Sequence, residues 1–586
     1  MAAANSAASY QPHLTEARDK SPFFNPSARV NSERPPFAPH RVDPHRTAMT
    51  DPADQARIVA ADIETLRQMG YRQELNRRMS GFSNYAVSLS IICILAGGVT
   101  SFHQGLCSVG GASIGLGWPL ASLLALAFAA TMGQVASAFP TAGGLYHWAS
   151  ILGDRGWGWV TAWFNLFALI AVIAAVNVGA YQFTFQALAP FLGYEPGAFS
   201  ETALFALQIG IVAAITFSQA LLNHWGIRLT TRLTDFSGYW ILLVAAGLTV
   251  ALVVCASRLD FGRLVTFANY SGQPKGNAVW PETGSLPWLF ALGFMLPLYT
   301  ITGFDASAHT AEETVGAAHH VPRAIVRSVI VSALFGWIML AAVVLAIPNM
   351  NEAAAQGDNV FHWILRSVLP PWLVLGFVLA IAVAQYVCGL ACVTSASRMA
   401  YAFARDGGLP WSRALCRVNP RYGSPAIAIW ATAALAVVLT MYSPIYTTLA
   451  SACAILLYLS YALPTLLGLL AYGRSWTDMG PWSLGRWYQP LAVVCLIGCA
   501  FLLVIGIQPP NEKAGWIVLG AFGLTGAVWF SVMRHRFQGP PASLLEMHRR
   551  TAGRSVEDAA ASTPSGPASS GPGTAPSTIS RSDLRQ

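Results

Sequence analysis

The 586-residue chain is 54% hydrophobic and only 11% charged, with mean hydropathy +0.48. A soluble protein carries about a quarter charged residues, so most of this chain is expected inside a membrane. The net charge of +8 is no nucleic-acid footprint: only three lysines occur (Lys20, Lys275, Lys513), and the arginines fall in loops and tails without a basic stripe or interleaved aromatics.

Residues 1–79 read as a disordered cytoplasmic tail, rich in Ala, Pro, Ser, Arg and His, with a short helix over Ala56–Met69 and a basic collar at Arg72, Arg77 and Arg78. From 80 to 535, long uncharged runs predict twelve transmembrane helices. They fall near 82–106, 115–139, 156–186, 203–226, 234–257, 287–312, 325–348, 371–404, 425–442, 445–472, 488–508 and 514–534. Residues 536–586 are rich in Ser, Pro and Gly and read as a second disordered cytoplasmic tail. The nine cysteines are scattered, mostly within apolar runs; Cys388/Cys392 and Cys495/Cys499 share helical spacing, but no histidine or further cysteine pair completes a metal set.

With both termini inside, the inner loops carry Arg155, Arg228, Arg232, Arg323, Arg327, Arg405, Arg413, Arg417, Arg421, Arg474 and Arg486. The outer loops carry only Arg258, Arg263, Lys275, Arg366 and Lys513. The excess of basic residues supports that orientation.

Two spans are interrupted. Span one holds Ile94-Leu-Ala-Gly-Gly-Val-Thr-Ser101, with adjacent glycines amid apolar sequence. Span six holds Tyr299-Thr-Ile-Thr-Gly-Phe-Asp305, with a carboxylate where lipid would otherwise surround the backbone. A charge at that depth costs about 2.5–3.5 kcal/mol even on mild insertion scales, so it must face a cavity, a partner or a cargo. Each interruption lies in the first helix of a five-span block, about 82–257 and about 287–472, and five is odd, so the blocks enter the membrane in opposite senses. Paired broken helices at equivalent places point to inverted repeats around a midplane binding centre. Gly97-Gly98 alone would also suit close helix packing.

Four strings resemble the amino acid–polyamine–organocation superfamily, and within it the amino acid/choline transporter branch. They are Leu75-Asn-Arg-Arg-Met-Ser-Gly-Phe82, Phe139-Pro-Thr-Ala-Gly-Gly-Leu-Tyr-His-Trp148, Gly303-Phe-Asp-Ala-Ser-Ala-His-Thr-Ala-Glu-Glu313 and Ser395-Ala-Ser-Arg-Met-Ala-Tyr-Ala-Phe-Ala-Arg-Asp-Gly-Gly-Leu-Pro410. The resemblance covers about residues 65–535, and is nearest to bacterial and fungal permeases for 4-aminobutyrate and related amino acids, with choline carriers as cousins. It implies an all-α polytopic fold with a five-plus-five inverted repeat, two extra C-terminal helices at about 488–534, discontinuous helices one and six, and secondary active uptake across the plasma membrane (the inner membrane in a bacterium).

On that basis each residue takes an expected role. A half-helix starting at the span-one break presents unpaired N–H groups, which suit a substrate carboxylate. Those amides belong to Ala96, Gly97, Gly98, Val99 and Thr100, with Thr100 or Ser101 hydroxyls assisting. In related carriers the substrate amine meets the carbonyls at the span-six break, here Thr300, Ile301 and Thr302, beside Gly303. Asp305 either adds a negative charge for the ammonium or caps the second half-helix. Phe304 is either a gating aromatic or packing.

A sodium site would draw on Ile94, Ala96, Thr394, Ser395 and Ser397, which resembles the sodium corner of other five-plus-five carriers. Some relatives place a lysine in span five instead of the ion. This chain has only Arg232 and Asp235 at the inner end of that span, so sodium, proton and exchange stay open. His309, Glu312 and Glu313 are either proton carriers or, with Arg77, Arg78 or Arg398, parts of an inner ion-pair lock. No resident cofactor is expected; the partners are a small-molecule substrate and the lipid bilayer. Choline or a polyamine is the alternative cargo. A polytopic membrane enzyme would need clustered His, Asp or Cys in the loops, and a channel would need a filter shared by subunits.

Overall fold

The chain is described from a computed structural model covering residues 52–189, 191, 193, 199–442 and 446–545. The tails expected to be disordered at 1–51 and 546–586 lie outside the described residues. Residues 52–79 instead form a helix, α1 (Pro52–Gln68), and an extended stretch that bury Leu66, Met69, Tyr71 and Leu75.

No strand occurs among the described residues; the architecture is helical throughout. Span one divides into α2 (Gly81–Ile91), α3 (Gly97–Thr100) and α4 (Phe102–Val109). Next come α5 (Trp118–Ala138), α6 (Leu145–Leu152), α7 (Arg155–Leu188), α8 (Glu201–His224) and α9 (Ile227–Cys255). Span six divides into α10 (Leu286–Gly293), α11 (Met295–Thr300) and α12 (Ala306–His309). The remainder runs α13 (Ala317–Ala346), α14 (Met350–Ala354), α15 (Val360–Val368), α16 (Pro371–Arg405), α17 (Ser412–Leu415), α18 (Ala426–Tyr442), α19 (Tyr446–Ala471), α20 (Tyr488–Gly506), α21 (Glu512–Val528) and α22 (Arg534–Arg536). By length and composition, nine helical stretches among the described residues are apolar enough to cross a membrane, and Leu286–Thr300 and Ala426–Tyr442 are shorter apolar helices.

Local chemistry sets the ends. Ser80 accepts the Ser83 amide (3.0 Å) to start α2, Asp154 accepts Gly156 and Trp157 to start α7, and Ser285 accepts Trp288 to start α10. α9 begins at Ile227 and α13 at Ala317, each seven or eight residues before the apolar run, because Arg228, Arg232 and Arg323 ride on helical turns that the uncharged-run criterion skips. Burial is uneven: α7, α16 and α19 form the core, whereas α21 shows most of its circumference to the surroundings.

Candidate functional site

Both interruptions are present, and they meet. Span one leaves helical geometry after Ile91, and α3 is held by Gly97 N donating to Cys93 O (3.0 Å), Thr100 N donating to Ala96 O (3.0 Å) and Ser101 N donating to Gly97 O (2.9 Å). The amides of Gly98 and Val99 donate to no backbone carbonyl among the described residues. Span six breaks after Thr300 because Gly303 takes φ +84°, where a side chain is strained. There the carbonyls of Thr300, Ile301 and Thr302 accept no hydrogen bond among the described residues. Gly97 is the contact point: a Cβ on it would lie 2.8 Å from Thr300 Cα.

A cavity of about 290 Å³ opens on one side of this crossing. Its floor holds Val99, Thr100 and Tyr446; its walls hold His103, Gln182, Phe183 and Gln186, with Asp358, Phe361 and His362 from the α15 region. Tyr446 meets Tyr299 edge to face (5.9 Å between ring centroids), at the entry to the span-six break. His103 Nε2 lies 3.4 Å from Asp358 Oδ1. Gln186 Oε1 and His362 Nδ1 are buried without a hydrogen-bond partner among the described residues, so the wall keeps polar capacity for a solute.

Of the residues expected to bind substrate, the cavity therefore exposes Val99 and Thr100, while Ala96, Gly97, Gly98, Thr300, Ile301, Thr302, Gly303, Phe304 and Asp305 lie outside its lining. Phe304 packs on Tyr461 (5.0 Å between centroids). Asp305 makes no side-chain cap to α12. Its carboxylate is instead fully buried and engaged from three directions: Asn165 Nδ2 donates to Oδ2 (2.9 Å), Tyr461 OH donates to Oδ1 (2.7 Å), and His309 Nε2 lies 3.2 Å from Oδ2.

The residues proposed for sodium do not converge. Thr394 donates to Asn223 Oδ1 (2.7 Å), Ser397 donates to Thr394 O, and Ser395 Oγ is buried with no partner among the described residues. The span-one carbonyls that α16 reaches belong to Ile91 and Leu95, and their partners are the Cys388 thiol (3.5 Å) and the Gln385 amide (3.2 Å). Among the described residues those hydroxyls make no hydrogen bond to Ile94 or Ala96.

The end that carries α1 holds buried ion pairs. Glu313 pairs with Arg398 through two hydrogen bonds (3.0 and 3.2 Å), and Glu312 pairs with Arg405 likewise (3.0 and 2.9 Å). Glu312 also accepts the Ala142 amide (3.1 Å), tying down the loop before α6. The chain before span one lies along the chain after span six, with Arg78 N and Met79 N donating to Glu313 O, and Val315 N donating to Met79 O. Arg77 donates to the carbonyls of Ala311 and Thr314 and lies 3.5 Å from Asp62 of α1; Arg78 contributes its amide. Burial raises the Asp62 carboxyl above its usual range, although the Gly316 amide and Arg77 favour its charge. Arg405 lies over the Tyr71 ring (3.8 Å), and Asp406 accepts Tyr71 and Tyr146 (both 2.8 Å) beside His147. Sequence reasoning missed Arg405, Asp406, Tyr71 and the cavity wall; the i,i+7 spacing of Arg398 and Arg405 against adjacent Glu312 and Glu313 was the one available signal.

The pattern of the family described as "Amino acid permease" matches residues 79–529. The chain is 32% identical to amino-acid permease BAT1 of Arabidopsis thaliana over 82% of its own length and 96% of the relative's. It is 25% identical to a GABA-specific permease of Saccharomyces cerevisiae (83% and 86%). It is 26% identical to a putative polyamine transporter of Candida albicans (86% and 92%).

Proposed function

The chain belongs to the amino acid permease family and is a membrane transporter rather than an enzyme, and from that premise we propose that it takes up a small amino acid by alternating access, driven by an ion gradient. The observation that carries this reading is the pairing of a solute-sized cavity above two broken helices with a belt of buried ion pairs below them. A cavity open at one end and a closure at the other is what one state of an alternating carrier requires. In this reading the two interrupted helices and the ten other apolar stretches make twelve spans in a five-plus-five inverted repeat plus two. The α1 end is cytoplasmic, as the arginine-rich loops favour, and the membrane is the plasma membrane.

The first candidate substrate is 4-aminobutyrate. Its carboxylate would meet the free amides of Gly98 and Val99, and its ammonium the carbonyls of Thr300, Ile301 and Thr302, once the Tyr299–Tyr446 floor parts. A polyamine is the second reading, favoured by the likeness to a putative polyamine transporter and by Asp358 at the cavity wall. Uptake by purified protein in liposomes separates them, with labelled 4-aminobutyrate, choline, putrescine and glutamate under imposed sodium or proton gradients. Accumulation of 4-aminobutyrate, uncompeted by choline, is expected; accumulation of putrescine alone would replace the first reading by the second.

Asp305→Asn is expected to cut transport per molecule at least about tenfold while lowering protein amount far less. An asparagine amide group faces Asn165 Nδ2 or Tyr461 OH, the donors now aimed at the carboxylate, and an unpaired buried donor costs about 1–3 kcal/mol. Equal transport per molecule would remove Asp305 from the working site.

A further inference from the structure

We propose that Asp305 and His309 together form the binding site for the coupling proton, and that this proton fastens α12 to the Phe139–Gly144 loop at the closed mouth. The proposal rests on the transporter reading and adds the driving ion and its place.

His309 is fully buried, with Nε2 3.2 Å from Asp305 Oδ2 and Nδ1 3.3 Å from the carbonyl oxygen of Ala142. A carbonyl oxygen only accepts, so Nδ1 must carry a hydrogen. The second contact needs another hydrogen between Nε2 and Oδ2. Either an imidazolium donates to the carboxylate, or a carboxylic acid donates to a neutral imidazole. Both distributions hold the same number of protons, one more than a carboxylate beside a neutral imidazole. Remove that proton and a nitrogen lone pair must face an oxygen, so one of the two contacts turns repulsive.

The surroundings let this one proton decide. From α7, Asn165 donates to Oδ2 and to Ser460 Oγ; from α19, Tyr461 donates to Oδ1, and Cys453 is the further titratable group of that helix beside Asp305. α2 presents Ser88 and Asn84, both uncharged, to α12. Gly144 offers only backbone, and a Cβ there would sit 3.4 Å from the imidazole. The charges further along are already matched, Glu312 with Arg405 and Glu313 with Arg398.

The consequence is mechanical. Ala142 is held to span six twice, by its carbonyl through His309 and by its amide through Glu312 Oε1. Losing the proton leaves one hydrogen for two contacts; the charged carboxylate is the stronger acceptor and keeps it at Nε2, so the first tie is released and proton release and loosening of this mouth become one event. At the span-one break the Ile91 and Leu95 carbonyls accept from Cys388 and Gln385.

The test uses the full chain in liposomes, with labelled 4-aminobutyrate, glutamate and putrescine as probes. First, counterflow at equal pH on both sides establishes which probe is carried; if none is, both the transporter reading and this proposal fall. For the probe carried, a gradient of one pH unit, acid outside and without sodium, should drive accumulation at least about fivefold above equilibrium, and a sodium gradient at equal pH should not. Accumulation that follows sodium, or neither gradient, overturns the proposal and leaves the transporter reading standing. His309→Gln cannot titrate and should lose the pH-gradient response; a retained response also overturns it. Should that variant not fold, Asn165→Ala serves. It strips one donor from the carboxylate, favours the protonated dyad, and should move the midpoint of the uptake–pH curve upward by at least about half a unit; an unmoved midpoint overturns the assignment.

Discussion

Glu313→Ala is expected to open the mouth beside α1, seen as faster hydrogen exchange at residues 76–80 and 139–144 with the cavity end unchanged. The variant leaves the Arg398 guanidinium, which is 0% exposed, with the Ser397 hydroxyl (3.2 Å) and no counterion. Breaking a buried pair by deleting one partner costs about 3–5 kcal/mol. If the open state hydrates Arg398, that penalty falls on the closed state alone and shifts the two-state population by about two to three and a half orders of magnitude. Glu312→Ala should do less, because Arg405 is 12% exposed and keeps the Tyr71 ring beneath it. Restoring charge by the exchange Glu313→Arg with Arg398→Glu should slow exchange again. Unchanged exchange in a well-folded Glu313→Ala protein would remove this pair from the closure.

That ranking depends on geometry only partly written in the sequence. Span positions were legible because a membrane forbids unpaired charge over about twenty residues, so uncharged runs mark helices directly. The breaks were legible for a related reason: adjacent glycines at 97–98, and a glycine beside a carboxylate at 303–305, are expensive in lipid unless they do something there. Partner choice was not legible. Asp305 invites a ligand on paper, yet Asn165 and Tyr461, about 140 and 156 positions away, already donate to its two oxygens. Thr394, Ser395 and Ser397 carry the right atoms for a cation, but helix rotation turns Thr394 toward Asn223 and gives Gln385 and Cys388 the span-one carbonyls. The cavity wall is spread over α4, α7 and the α15 region, and α15 is an amphipathic helix of nine residues, too short to register as a span. The helix over Ala56–Met69 was legible as α1, but its docking was not, because its surface is polar and Leu66, with the following Met69 and Tyr71, anchors it.

The adjacent glycines allow a sharper experiment than either would alone. Gly97→Ala is expected to lower uptake per molecule at least about tenfold, while Gly98→Ala stays within about twofold of the parent. Alanine improves helix propensity by about 1 kcal/mol at either position, so that gain cancels in the comparison. The remaining difference is space. At Gly97 the new methyl would sit 2.8 Å from Thr300 Cα and 2.9 Å from its hydroxyl, against backbone that cannot swing aside. At Gly98 the nearest atoms are the ends of Leu340, Thr300 and Trp118 side chains at 3.5–3.7 Å, which is ordinary contact. Overpacking of the first kind typically costs about 1–3 kcal/mol, and here it falls where the two half-helices must hold their approach while the rest of the bundle moves. Both variants keep every amide in place, so a substrate carboxylate bound by the Gly98 and Val99 N–H groups would not register the difference. Matching losses in the two proteins would mean that helix stiffness at the break controls uptake and that the Gly97–Thr300 crossing does not.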